Sequence, residues 1–335
     1  MKRTKRVLGL ALAAVMCMGL LAGCGGTPSN SDTADETSGT ETSEKVLNIA
    51  TIGETTTLSP LYMIADNRPT QKLLYEGLVK YVDGEIQPVL AEDWELSEDG
   101  TQLTFYLRQG VTFHDGEPFN AEAAIANIES WHINPSFASL PGVVNYTNIE
   151  AVDEYTIRLT YDTPYFAYIN DFCWPDVCTM ISPKLITQGD FQTVNGYAGT
   201  GPYIYDEYVA GQYTTFVRNE NYWGEQPYYD KIVAKYIPDN ASRVQALQTG
   251  EIDLIYGSAE LSYEDYNQAT AIEWIEGKFA PSGSTIRNII LNFNGNLADL
   301  SVRQALAYAI DKGAISEGLT YGYEPVADTI VPDGT

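Results

Sequence analysis

Residues 103–120 read Leu103-Thr104-Phe105-Tyr106-Leu107-Arg108-Gln109-Gly110-Val111-Thr112-Phe113-His114-Asp115-Gly116-Glu117-Pro118-Phe119-Asn120. From Leu103 to Arg108, Leu, Phe and Leu alternate with Thr, Tyr and Arg, the period of two that a strand with one buried face requires. Gly110 and the Asp115-Gly116 pair are turn formers that let the chain leave that strand sharply. Asn120 is placed to cap a helix running through Trp131, in which Ala124, Ile125 and Ile128 supply an apolar stripe at helical spacing. Strand, turn and helix in so few residues point to an α/β body.

The same grammar extends outward in both directions. Val46 to Ile52 reads as a short strand ended by Gly53. A loop from Glu54 to Asn67 follows, and Pro69 can open a helix whose apolar side is Leu73, Leu74 and Leu78, with Gly77 near its end. Tyr203–Val209 and Tyr213–Arg218, separated by Ala210, Gly211 and Gln212, form a hairpin pattern. Asn240 and Gly250 bracket another helix, and Ile252 to Tyr256 resumes as strand. Ile289 to Phe293 reads as strand and Val302 to Lys312 as helix, with Val302, Leu306, Ala309 and Ile310 as its buried stripe.

The N-terminus has a different character. Lys2, Arg3, Lys5 and Arg6 precede an uncharged apolar run from Val7 to Leu21, too short to span a bilayer comfortably and laid out as a secretory signal. Leu21, Ala22, Gly23 and Cys24 resemble a bacterial lipobox, which implies a signal peptide of residues 1–23, cleavage before Cys24 and lipid on its sulfur. More than one acyl chain is needed for stable anchoring. The alternative to the lipobox is an ordinary secretory signal with a chance cysteine at its end. Residues 24–45 then form a Ser/Thr-rich acidic linker, in which Ala34 is the only clearly apolar side chain. As a flexible coil it would reach about 25 Å.

The whole chain carries 19 Lys and Arg against 45 Asp and Glu, a net charge of −26. Residues 1–23 hold four basic and no acidic residues, so without them 15 face 45 and the charge is −30. Such a surface disfavours nucleic acid and anionic lipid as partners. Tyrosines number 24 beside 10 phenylalanines. That excess suits wet, aromatic clefts, although strand packing uses the same residue.

Several motifs together resemble one family. Tyr75-Glu76-Gly77-Leu78-Val79, then Pro88, Leu90, Ala91, Glu92 and Trp94, then Ser97, Asp99 and Gly100, are similar to the opening of peptide/nickel-class substrate-binding proteins of ABC importers. Thr104 through Phe119, with Ala121 and Glu122, resemble that family's signature segment nearly position by position. Gly199-Thr200-Gly201-Pro202-Tyr203, Arg218 through Gly224, and Val302-Arg303-Gln304-Ala305-Leu306 continue the likeness in family order. It implies a two-lobed periplasmic-binding-protein type II fold with an extra subdomain on the first lobe. On that map residues 46–60 and 200–280 build the lobe I sheet, 61–199 the extra subdomain with part of lobe I, and 285–335 the start of lobe II. The second lobe is thus expected to be truncated and the sequence a fragment.

The resemblance further implies a monomeric receptor without cofactor or catalysis. It would capture a peptide or a nickel or other metal chelate between its lobes and hand it to the importer's membrane subunits. Tyr62, Met63, Arg68, Trp131, His132 and Trp174 are the expected ligand contacts, Arg68 as a fork for a carboxylate or as a solvated arginine at a helix start. Residues 216–225 and 326–329 look most like the nickel-importing branch. The stretch Trp174 to Met180, where that branch presents arginine to an anionic chelator, has none, so peptide and metal chelate both stand.

Among other candidates, His114 beside Asp115 suggests a dyad, but no Gly-x-Ser-x-Gly elbow occurs, and a surface turn histidine is expected. His132 alone makes a weak metal site. Cys173 and Cys178 could form a disulfide outside the cytoplasm or remain two free thiols. In Gly199-Thr200-Gly201-Pro202 no helix start follows to aim amides at a phosphate, so the glycines are expected to shape the backbone. Functions of other classes are a secreted acidic hydrolase acting on glycans through paired carboxylates, and a surface adhesion lipoprotein.

Overall fold

The computed structural model describes residues 44–62, 68–82, 84–174, 177–186, 196–256, 261–279 and 287–327. The expected signal peptide, Cys24 and nearly all of the expected linker lie outside these residues. The fold is mixed α/β. In chain order the strands are β1 Val46–Thr51, β2 Val79–Val82, β3 Glu85–Pro88, β4 Ala91–Leu96, β5 Gln102–Leu107, β6 Tyr146–Asp153, β7 Thr156–Tyr161, β8 Tyr203–Val209, β9 Tyr213–Arg218, β10 Lys231–Tyr236 and β11 Leu254–Ile255. The helices are α1 Arg68–Leu74, α2 Ala121–His132, α3 Pro141–Val144, α4 Tyr168–Phe172, α5 Asn240–Thr249, α6 Tyr263–Thr270, α7 Leu300–Ala309 and α8 Lys312–Thr320.

Two sheets organise the body. The first has the order β11-β1-β10-β9-β8, with β1 parallel to β10 and β11, and the β8–β9–β10 run antiparallel. Its hairpin turns at Gly211, whose φ of 70° is left-handed backbone that glycine adopts without penalty. Ile49, Phe216, Ile232 and Ala234 from this sheet pack with Leu58, Leu74, Tyr75, Ile181 and Tyr203. The second sheet is fully antiparallel, in the order β4-β5-β7-β6. Leu103, Phe105 and Leu107 of β5 and Ile157, Leu159 and Tyr161 of β7 are buried, while Tyr106 is exposed, as expected of a sheet covered on one face. Helix α2 contributes Ala124, Ile128 and Trp131 to this core. Asn120 caps it by accepting from the Ala123 amide at 3.0 Å.

The motifs of the sequence meet between these two cores. The Glu76 carboxylate accepts hydrogen bonds from the Thr200 hydroxyl (2.9 Å), the Tyr222 hydroxyl (2.7 Å) and the Trp223 indole N–H (2.8 Å), and its backbone carbonyl accepts from the Met180 amide at 2.8 Å. The loop bearing Thr200 lies so close to the end of α1 that a Cβ on Gly199 would stand 2.0 Å from the Leu74 carbonyl oxygen, and one on Gly201 2.7 Å from that of Leu73. Only glycine permits this approach. Arg108 completes the cluster, its guanidinium 4.4 Å from the Trp223 ring centroid.

His114 departs from its expected place on the surface. It is partly buried, its Nε2 bonds the Gly201 carbonyl at 2.9 Å, and its Nδ1 accepts from the Gly199 amide at 3.3 Å. Its own backbone amide donates to the Gly199 carbonyl at 2.9 Å. The Asn219 side chain donates to the same Gly201 oxygen at 3.1 Å. The turn at Asp115-Gly116 therefore aims an imidazole at a loop some eighty residues away in sequence.

Residues 287–293 form no strand, and Ile290 is 92% exposed. The expected helix over 302–312 divides into α7 and α8, and Val302, Leu306 and Ile310 are exposed rather than buried.

The Glu76 and His114 contacts carry distinct expectations. Glu76→Ala leaves three donors at a largely enclosed site without their acceptor and should destabilise the fold by about 3 kcal/mol or more, with Glu76→Gln intermediate. Urea unfolding measures this, and a loss below about 0.5 kcal/mol for the alanine variant contradicts it. Burial lowers the His114 pKa below its usual value. The unfolded chain therefore takes a proton before the folded one. This histidine's contribution is fully present above the unfolded pKa of about 6.5 and is lost as pH falls through the lower folded value. His114→Gln should flatten the fall in unfolding free energy between about pH 7 and 5 relative to the parent chain, and an unchanged slope contradicts the assignment.

Candidate functional site

Helix α2 and the residues that follow it collect the segments from which ligand contacts were expected. Buried Asn134 donates to the Leu61 carbonyl at 2.8 Å, beside Tyr62, and accepts from the Ser136 amide at 3.0 Å. From the other side, buried Gln71 of α1 donates to the Ser59 carbonyl at 2.8 Å. Asn127, in the middle of α2 and fully buried, grips Ile181 twice, donating to its carbonyl and accepting from its amide, both at 2.9 Å. Three amides, one on α1, one on α2 and one just beyond α2, thus hold the backbone of 59–61 and of 181. Each satisfies polar backbone in a dry setting, where an unpaired group would cost about 1–3 kcal/mol.

On this frame Tyr62 is half-buried and Trp174, two residues beyond α4, is 47% exposed. His132 is exposed at the end of α2, its ring centroid 4.6 Å from that of Tyr146. Met63 lies outside the described residues. Arg68 begins α1, and its side chain lies outside the described set.

Trp131 is a correction to the expected contacts. It is completely buried and stacked on Phe137, with centroids 5.9 Å apart and planes within 7°. The helical stripe that carries Ala124 and Ile128 into the core carries Trp131 with them, so the indole packs the core behind the β4–β7 sheet and offers no surface to a ligand. Its N–H has no hydrogen-bond partner among the described residues.

Cys173 and Cys178 are both buried free thiols, so the candidate disulfide is not formed. Their sulfurs lie 3.4 Å from the carbonyl oxygens of Ile169 and Asp171. Burial pushes the Cys173 thiol up to about 11 and the Cys178 thiol higher still, so neither is a thiolate at neutral pH. Among the described residues no group of three or more His, Cys, Asp and Glu is placed to hold a metal ion, and no helix is long and apolar enough to cross a membrane. The arrangement leaves ring surface at Tyr62, next to backbone held by buried Asn134, and separately at exposed Trp174. Sequence reading missed Gln71, Asn127 and Asn134. The available signal was Asn127 itself, a polar residue one position before Ile128 of the apolar stripe.

Comparison with known proteins agrees with this architecture. The chain is 35% identical over 285 residues to the nickel-binding periplasmic protein of Escherichia coli K12, an alignment covering 82% of this chain and 53% of that protein. It is 31% identical over 299 residues to the glutathione-binding protein GsiB of Pectobacterium atrosepticum, covering 85% of this chain and 56% of the relative. The chain therefore spans about half the length of these relatives. Among solved structures, NikA from Brucella suis in complex with Fe(III)-EDTA superposes with a TM-score of 0.80 at 32% identity, over 87% of this chain and 59% of that one. The structural neighbours are type II periplasmic binding proteins, and the mixed α/β fold described above is of that class. Residues 85–335 match the family of bacterial extracellular solute-binding proteins, family 5 Middle, and the chain belongs to that family.

Proposed function

We propose that this chain is the capturing part of an extracytoplasmic receptor that takes up a small peptide or a nickel or other metal chelate and delivers it to the membrane subunits of an ABC importer. The observation that carries this reading is the family match over residues 85–335. It is supported by relatives whose names specify nickel and glutathione, and by a structural neighbour holding an iron chelate. Residues 46–60 and 200–280 would supply the sheet of the first lobe, 61–199 its extra subdomain with part of that lobe, and 285–335 the beginning of the second. Ligand bridging the lobes favours the closed arrangement only to the extent that it binds that form better than the open one. Capture proceeds without turnover, by a monomer that needs no cofactor.

Tyr62, Met63, Arg68, His132 and Trp174 are the proposed contacts on this side of the cleft. A half-buried phenol and an exposed indole suit a ligand of mixed polarity, held by ring faces and one hydroxyl. The segment Trp174 to Met180 carries no arginine, which favours a peptide, or a chelate of low negative charge, over a strongly anionic one. A glycan hydrolase and an adhesin have no support from the family. The lipid on Cys24 and the acidic linker of 24–45 would keep the receptor beside its importer, at the outer face of the cytoplasmic membrane.

Calorimetric titration of the whole gene product with a dipeptide pool and with nickel–histidine tests the function. One of the two should bind with a Kd of about 1 μM or below and be recovered intact, and Trp174→Ala should weaken it about tenfold. Consumption of the ligand, or silence toward both, contradicts the proposal. The anchor is tested by fractionation. Cys24→Ser should move the protein from the membrane pellet to the soluble extracytoplasmic fraction, and its persistence in the pellet would contradict the lipid.

A further inference from the structure

A concavity lies beside the β4–β7 sheet, lined by none of the contacts just proposed. It is a cleft of about 480 Å³ between the α3–β6 junction and the turn that joins β7 to α4. Tyr146, Tyr165, Tyr168, Pro164, Asn145 and Asp162 line it. Neither Tyr62 nor Trp174 is among its lining residues.

Its walls are built rather than accidental. The Tyr161 hydroxyl donates to the Gly142 carbonyl at 2.7 Å, and the Gly142 amide donates to the Asp171 carboxylate at 2.6 Å, which ties α3 to both β7 and α4. The Tyr168 hydroxyl donates to the Thr163 carbonyl and fixes the turn. Tyr165 meets the Tyr168 ring edge-on, with centroids 4.8 Å apart and planes at 75°. Tyr161 backs Tyr168 in a stack, and His132 backs Tyr146 at 4.6 Å. Burial pushes the Tyr146 phenol up to about 12, so that wall is a neutral ring at physiological pH.

The charge around the cleft has one sign. Asp162 stands exposed at its rim, and no lysine or arginine lines it. Glu129 acts on Tyr146 from α2, and Asp171 lies behind Gly142. His132 packs against Tyr146, with ring centroids 4.6 Å apart. Aromatic rings at right angles with a carboxylate at the mouth attract a cation through ring quadrupoles and through charge. The volume falls within the range that accepts a small molecule. An anion would meet Asp162 in a chain of net charge −26, and a neutral solute would leave that carboxylate without a counter-charge.

We propose that this cleft is a binding site for a small organic ammonium ion, seated against the Tyr146 and Tyr165 rings with its charge toward Asp162. Choline and its uncharged isostere 3,3-dimethylbutan-1-ol are the probes, titrated into the chain by calorimetry with protein chemical shifts as a second readout. Choline should bind with a Kd of about 0.1–1 mM and the alcohol at least about tenfold more weakly. Tyr165→Ala should weaken choline about tenfold and Asp162→Asn about threefold, Tyr165→Phe should stay within about twofold of the parent, and thermal melting should be unchanged in Asp162→Asn and Tyr165→Phe, with Tyr165→Ala still melting cooperatively. Equal affinity for choline and the alcohol would overturn the proposal by showing a merely apolar cavity. No choline binding up to about 10 mM, or choline binding indifferent to both Tyr165→Ala and Asp162→Asn, would overturn it as well.

Discussion

The partly buried carboxylate of Glu76 is the contact on which the arrangement of this chain depends. Its three side-chain donors come from Thr200, Tyr222 and Trp223, while its own backbone receives Met180. Burial raises its pKa in spite of those donors, so the enclosure is costly and is sustained by the hydrogen bonds. Because the shift is upward, ionisation of Glu76 draws on stability as pH rises through the folded value, the opposite direction from His114. The two residues act on one loop. His114 holds the backbone of Gly199 and Gly201 while Glu76 holds the side chain between them. Four of the motif segments that mark the family are thus the parts of one joint between the two cores.

That joint explains what the sequence could and could not convey. Strand β5, helix α2 with its Asn120 cap, and the β8–β9 hairpin were legible because each is written in a local period or a local turn. The purpose of the motif residues was not, because hydrogen bonds from 76 to 200, 222 and 223, and from 114 to 199 and 201, leave no periodic trace. Helix α5 shows the finer limit. Asp239 rather than Asn240 caps it, accepting from the Ser242 amide at 2.8 Å, since both residue types cap well and only geometry chooses between them. Ile289 to Phe293 has the composition of a strand yet forms none, because a strand needs neighbours to satisfy its backbone.

The candidate site divides in the same way. Tyr62 and Trp174 offer accessible ring surface, and both can be found by asking which aromatics sit in loops. Trp131 looks equivalent in sequence, but its place on the buried stripe of α2 makes it core. What fixes the backbone of 59–61 and of 181 is a set of buried amides, Gln71, Asn127 and Asn134, whose partners are main-chain groups. Such residues carry no chemical signature of function. They matter because a binding loop held in one conformation loses less entropy on capture.

A strongly acidic chain of the solute-binding family that exposes the Trp174 ring fits the proposed retention of a solute rather than its transformation. Native mass spectrometry tests that claim most directly, with the whole gene product incubated with a dipeptide pool or with nickel–histidine. The account predicts a single non-covalent adduct from one of the two, ejected on collisional activation with its mass unchanged. The absence of an adduct from both, or the release of cleaved peptide, would contradict it.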